Sequence, residues 1–308
     1  MIEFRRLHRY FGATHAVHEV SFDVPKGEVF GYIGPNGAGK TTSMRILATL
    51  DLPTYGDALV DGFSVVNDPD RVRRRLGFMP DYFGTYPNVS CWEYLDFFAR
   101  AYGLVGRERD RSLRHVMAFT DLQGLADKPI RGLSKGMKQR LCLGRAMVHD
   151  PSVLILDEPA AGLDPRARIE LRQMIRALAS DGKTILVSSH ILTELAEMCD
   201  RVGIIERGHL LAVGTIDEIQ REATTRCDVR VRIVGGCDKV AEWLEHREDV
   251  EQIRVDGELA TFSHMGKRDG QVSLLREMVL ADFQVAEFAS HVRSLEDVFM
   301  HVTQGVVQ

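Results

Sequence analysis

The chain has 308 residues, 44% apolar and 27% charged, with a formal net charge of −5. That length accommodates two domains with sizeable cores, and the mild acidity excludes a global pull toward nucleic acid or anionic lipid. Five cysteines without C-x-x-C or zinc spacing suit reduced thiols, and no apolar run approaches the 18 residues of a membrane span.

Residues 1–30 alternate apolar and polar side chains (AVHEVSFDV) between Gly12, Pro25 and Gly27, which predicts β-strands. The opening MIEFRRLHRYFG lacks the apolar stretch of a signal peptide. EVFGYIG (28–34) reads as a buried strand entering a glycine loop, and KTTSMRILATL (40–50) as a helix. GDALVDGFSV (56–65) predicts a hairpin turned at Asp61–Gly62. From about 82 the pattern turns aromatic and helical (CWEYLDFFARAYGL, RSLRHVMAFTDLQGLADK), and a further helix is expected within 131–149.

Alternation then returns: strand SVLILD, helix PRARIELRQMIRALASDG, strand KTILVSSH, helix ILTELAEMCD and hairpin RVGIIERGHLLAVG. Near-continuous apolar strands alternating with helices imply an α/β fold with a mostly parallel sheet covered on both faces. Beyond about 220 the predicted order is strand, helix, hairpin turned at Asp256–Gly257, helix, strand, with SLEDVFMHVT as a last helix. Strands and helices in the order β-α-β-β-α-β predict a small α+β, ferredoxin-like domain. The expected division is therefore 1–220 and 221–308, with a helical subdomain at about 82–150.

The segment Gly34, Pro35, Asn36, Gly37, Ala38, Gly39, Lys40, Thr41 matches G-x-x-x-x-G-K-[ST], between a predicted strand and helix and followed by Thr42. Such a loop wraps backbone N–H groups around phosphates, and the helix dipole adds to their pull. Lys40 would reach the β/γ oxygens and Thr41 would offer its hydroxyl to Mg²⁺. The complementary acids end the apolar strand SVLILD: Asp157 suits Mg²⁺ through water, and Glu158 suits polarising an attacking water. His190 ends the strand ILVSSH, at the sheet edge where such folds bind phosphate. A second anion seat is expected at RGLSKGMKQRL, where Ser134 would cap a helix and Gly136 would bare its first turn.

In this order and at these separations, GPNGAGKTT, LSKGMKQRL, LILDEPAAGLDP and SSH resemble the ATP-binding cassette of ABC transporters over about residues 1–220. The wording of the second motif, the segment GFMPDYFGTYPNVSCWEYLDFFARAYGL and SLEDVFMHVT are similar to one branch. Its members are exporters of drugs, polysaccharides and similar cargo whose ATPase and membrane chains are separate.

The resemblance implies a P-loop cassette with a parallel core sheet, an antiparallel β subdomain and a helical subdomain. It also implies a head-to-tail dimer of identical or closely paralogous cassettes. Two ATP molecules with Mg²⁺ would lie at its interface, each between one chain's phosphate loop and the other's Leu133–Met137. Ser134 and Gly136 would then bind the partner's γ-phosphate, and Asp164 would sit across the interface. An aromatic near the N-terminus stacks on adenine in this family; Phe11 is the best match and Tyr10 the alternative. The expected partner is an integral-membrane permease docked on aromatics of segment 82–105, with no nucleic acid, and the expected location is peripheral on the cytoplasmic face of the cell membrane. The alternative is a soluble cassette ATPase working on nucleic acid or ribosomes, disfavoured by the lack of a basic stripe.

Three positions depart from the family's usual pattern. Lys135 replaces a glycine and Met137 a glutamine of L-S-G-G-Q, and Asp81 stands where a glutamine usually reaches Mg²⁺ and the attacking water. Asp81 is expected to couple nucleotide state to the helical segment that follows it.

Overall fold

The computed structural model describes residues 1–292 except 83, 85, 87, 220–225, 236 and 266–267. The expected last helix at 294–303 and Phe83 of the aromatic segment lie outside the described residues. The chain forms two compact units, Met1–Thr215 and Ile216–Gln308.

The first unit holds two sheets. One is antiparallel, in the order β2 (Thr14–Val24), β1 (Ile2–Phe11), β4 (Tyr55–Val60), β5 (Phe63–Ser64). Asp61 and Gly62 turn β4 into β5, both with positive φ (55° and 80°), as a tight hairpin of right-handed twist requires. The other sheet runs β10 (His209–Thr215), β9 (Arg201–Glu206), β3 (Val29–Ile33), β8 (Thr184–Ser189), β7 (Val153–Leu156), β6 (Leu76–Met79). Its strands from β9 to β6 are parallel, and β10 folds back antiparallel on β9. Strands β3, β7 and β8 are wholly buried, which is why their sequences read as apolar runs. Phe4, Phe22, Phe30, Tyr32, Met44 and Leu47 belong to the core that joins the two sheets and α1 (Lys40–Leu47).

Between β6 and β7 lies the helical part. A short α2 (Pro69–Arg73) precedes β6. Helix α3 (Cys91–Ala101) starts at a reciprocal capping box, in which Ser90 Oγ accepts from the Glu93 N–H and Glu93 accepts from the Ser90 N–H. Helices α4 (Gly106–Phe119) and α5 (Lys135–Met147) complete it, with α5 packed on β6 and on α3. Asp164 caps α6 (Pro165–Ser180) through the Ala167 N–H. The expected helix at 191–200 is shorter, α7 (Leu192–Ala196). Beyond it the Asp200 carboxylate accepts from the Val29 N–H of β3 at 2.8 Å.

The second unit runs β11 (Arg226–Ile233), α8 (Asp238–Glu245), β12 (Val250–Asp256), β13 (Leu259–Met265), α9 (Arg268–Leu280), β14 (Val285–Val292). Its sheet order, β12-β13-β11-β14, is fully antiparallel, the ferredoxin-like arrangement. Val229, Val231, Leu244, Phe262, Leu274 and Met278 fill the space between sheet and helices.

Candidate phosphate-binding site

Four parallel strands deliver side chains to one edge of the large sheet. Gly34 follows β3, Asp81 follows β6, Asp157 and Glu158 follow β7, and His190 follows β8. Register decides which of them meet. Ile33 pairs with Ser189 and Leu156 with Val187, so the loop entrance, the acids and His190 lie level with one another.

The loop itself is shaped by close backbone approaches. A Cβ on Gly34 would stand 2.2 Å from the Ile205 carbonyl oxygen, and one on Gly39 2.4 Å from that of Ala16. Gly39 also has φ 104° and is the N-cap of α1 without any side-chain cap. The first N–H groups of α1 are therefore available to an anion. Asn36, Gly37 and Thr41 are exposed, while Ala38 and Lys40 are buried; Pro35 and Thr42 lie between.

Lys40 Nζ donates to the Gly34 oxygen at 2.6 Å and the Pro35 oxygen at 3.3 Å, and stands 3.3 Å from Glu158 Oε1. Glu158 Oε2 lies 2.9 Å from His190 Nδ1. The Glu158 carboxylate thus bridges the lysine and the histidine. Its backbone has φ 47°, an uncommon conformation for a side-chain-bearing residue, held by its N–H donating to Ser188 Oγ at 2.9 Å. Ser188 Oγ in turn donates to Asp157 Oδ1 at 2.7 Å.

Asp157 is 1% exposed. Burial pushes its carboxyl above the ordinary range, opposed by hydrogen bonds from Ser188 and Thr41 and reinforced by the charges of Glu158 and Asp81. Asp157 and Thr41 thus meet, and Asp81 is near enough for its charge to act on Asp157. Ser188 had no role assigned from sequence. Only its position two residues before His190 in SSH hinted at it.

Two other groups of expected site residues lie apart from this edge. Phe11 ends β1, exposed, with the Arg9 guanidinium 4.4 Å over its ring, and Tyr10 stacks on His15 at 3.8 Å. Ser134 caps α5 by accepting from the Met137 N–H at 3.3 Å. No acid occupies the first turn of α5, so its positive end is not offset from within the helix. Helix α5 rests on β6, three strands from β3, a lateral offset of about 14 Å. Gly136 has a packing reason as well, since a Cβ there would press on the Ala167 methyl at 3.2 Å. The Lys135 ammonium lies over Gly162, in the loop before α6, where φ is 64°.

A phosphate loop after a central parallel strand, with buried acid and histidine on the neighbouring strand ends, defines a P-loop nucleotide-binding fold. The family model for "ABC transporter" matches residues 17–161, and that for "ATP-binding protein DrrA1-3-like, C-terminal domain" matches residues 214–303.

The chain is 38% identical over 252 residues to the Nod factor export ATP-binding protein I of Burkholderia lata, covering 80% of this chain and 82% of the relative. It is also 38% identical over 223 residues to the probable multidrug ABC transporter ATP-binding protein YbhF of Escherichia coli. That match covers 72% of this chain, which spans only 38% of the relative's length. A solved ATP-binding subunit of an ABC transporter superposes with TM-score 0.66 at 32% identity, over 72% of this chain and 92% of that one. The dimeric structure of the bacterial cassette MJ0796 does so with TM-score 0.64 at 25% identity, over 70% and 99%. The chain belongs to the ATP-binding cassette family of ABC transporters. Within that family its relatives include export ATP-binding proteins, and its second unit is similar to the C-terminal domain of DrrA1-3-like proteins.

Proposed function

We propose that this chain hydrolyses ATP as the motor subunit of an exporter, working as a head-to-tail dimer bound to a separate integral-membrane permease. The observation that carries the reading is the Glu158 carboxylate held between Lys40 and His190, with the buried Asp157 beside Thr41.

In the geometry described, Lys40 is satisfied by two loop carbonyls and Glu158. ATP would supply phosphate oxygens in their place and free the carboxylate. Glu158 then accepts the proton of a water attacking the γ-phosphorus, the bond to the β,γ-bridging oxygen breaks, and ADP leaves with phosphate. His190 donates to a γ-oxygen, while Lys40 and the N–H groups of α1 offset the charge that develops. The residues fit Mg²⁺: Thr41 and Asp157 would hold it, and it would neutralise charge on the β- and γ-phosphates. Asp81 sits where its carboxylate acts on the same acid and where the chain enters the helical part.

The detached seat at Ser134–Met137 supports the dimer, because its first turn carries no acid and the ATP on a partner's loop would bring an anion to it. Phe11, with Tyr10 as alternative, would stack on adenine. A groove of about 460 Å³ lined by Arg45, Arg73, Phe78, Tyr82, Phe98 and Arg145 suits a cytoplasmic helix of the permease. Among the described residues no helix is long and apolar enough to cross a membrane. Association with the inner face would come through that partner.

The deciding experiment replaces Glu158 by Gln. The variant should bind ATP like the unmodified protein and hydrolyse it about 10²–10⁴-fold more slowly, the usual contribution of a positioned base. Turnover within a few-fold of normal would overturn the assignment.

A further inference from the structure

Helix α6 sets Arg168, Arg172 and Arg176 four residues apart along one face. Each meets an acid of α7 or of the chain just beyond it: Arg168 meets Glu194 at 2.9 Å, Arg172 meets Glu197, and Arg176 meets Asp200 at 2.8 Å. The rung nearest the start of α6, Arg168–Glu194, also reaches the two loops that carry Glu158 and His190.

On one side, Arg168 Nε donates to the Leu163 oxygen at 3.1 Å. Leu163 closes a run of two turns that begins at Glu158. In it the Ala161 N–H donates to the Glu158 oxygen at 3.1 Å, and the Leu163 N–H to the Ala160 oxygen at 3.2 Å. On the other side, Ser189 Oγ donates to Glu194 Oε2 at 3.2 Å and accepts from the Ile191 N–H at 3.0 Å. The hydroxyl of buried Ser189 thus brackets the backbone of His190 from both neighbours. Glu194 Oε1 is shielded from solvent and has no hydrogen-bond partner among the described residues, so the Arg168 guanidinium is the charge set against it.

We propose that Arg168 is a positioning residue for hydrolysis, holding the Glu158 loop and the His190 turn in register through Leu163 and Glu194. This rests on Glu158 and His190 acting as base and γ-phosphate contact. Their side chains meet at 2.9 Å although they follow different strands, so the two loops must be kept from sliding past one another. A guanidinium presents its donors in a rigid planar fork and serves a carbonyl and a carboxylate together; an ammonium has no such fork. The phosphate loop follows β3 and lies outside this chain of contacts, so loss of Arg168 should change turnover and leave ATP affinity alone. A half-exposed ion pair adds little to stability. A slide of about 1 Å between reacting groups, by contrast, lowers turnover by about a hundredfold.

Steady-state hydrolysis by the full chain tests the proposal. Arg168→Gln should lower kcat at least about tenfold and leave KM for ATP within about twofold. It should melt within about 4 °C of the parent. Arg168→Lys, which keeps the charge without the fork, should recover part of kcat. Glu194→Gln should lower kcat as well, and the double variant should be no slower than the slower single one. In a His190→Ala background, Arg168→Gln should cost less than about twofold more, because the histidine it positions is gone. Arg172→Gln, on the next rung, should hydrolyse ATP like the parent. Unchanged kcat in Arg168→Gln, an equal loss in Arg172→Gln, or a full further loss in the His190→Ala background would overturn the inference and leave the roles of Glu158 and His190 standing. Normal turnover in His190→Ala alone would overturn those roles instead.

Discussion

Replacing Ser188 by Ala removes one hydroxyl that fixes both acids. Ser188 is fully buried and its neighbour Asp157 is 1% exposed, so water does not readily take the hydroxyl's place. The bond to the Asp157 carboxylate contributes about 1.5–3 kcal/mol, and leaving the buried Glu158 N–H unpaired costs about 1–3 kcal/mol. A loss of about 4 kcal/mol corresponds to a melting temperature lower by about 10 °C for a unit of this size.

Catalysis should fall with it. The bond from the Glu158 N–H holds the backbone at φ 47°, and its loss lets the carboxylate drift from Lys40 and His190. A misplacement of about 1 Å lowers turnover by about a hundredfold.

The pH dependence gives an independent signature. Burial already raises the Asp157 carboxyl, and Ser188 is one of the groups that holds it down. Its removal raises the carboxyl further, moving the acid limb of the ATPase profile to higher pH. A carboxyl raised in the folded state binds its proton more tightly than in the unfolded chain. Stability is therefore lost as pH rises from the ordinary Asp value through the folded one. That loss is larger in the variant, so its deficit should be greatest at neutral pH and shrink in acid. Thermal unfolding by circular dichroism and steady-state hydrolysis across pH measure all three. A variant that melts within about 2 °C of the parent, with an unmoved acid limb, would refute the reasoning.

Gly34→Ala should keep the fold but bind ATP at least about tenfold more weakly in a nucleotide fluorescence titration, since a Cβ 2.2 Å from the Ile205 oxygen forces the loop outward. His149 gives a second pH test. Burial pushes its imidazole down to about 4, while Nε2–H donates to the Leu76 oxygen at 3.2 Å and the ring stacks on Tyr102 at 3.6 Å. Stability held above the ordinary histidine value should be lost as pH falls from about 6.5 through about 4, by roughly 3 kcal/mol in all. Urea unfolding of His149→Gln, compared with the parent at pH 7 and in acid, should show a flatter dependence.

The local features of this protein are written in its sequence. The phosphate loop is contiguous, and its glycines mark places where the backbone must turn or touch. Apolar runs foretell β3, β7 and β8 because both faces of those strands are covered. The Asp61–Gly62 turn and the Ser134 cap depend only on their immediate neighbours. The branch resemblance likewise rests on short motifs.

What spacing leaves open is convergence. Strand β8 inserts between β3 and β7, and its register sets Ser188 against Asp157 and His190 against Glu158, residues about thirty apart in the chain. Arg168 and Glu194 are distant in the chain until α6 and α7 are folded side by side. Lys135 lies over Gly162 because α5 and α6 pack there, which its position in the motif does not show. Each of these contacts depends on strand order, register and helix packing, long-range quantities that no single stretch of the chain carries.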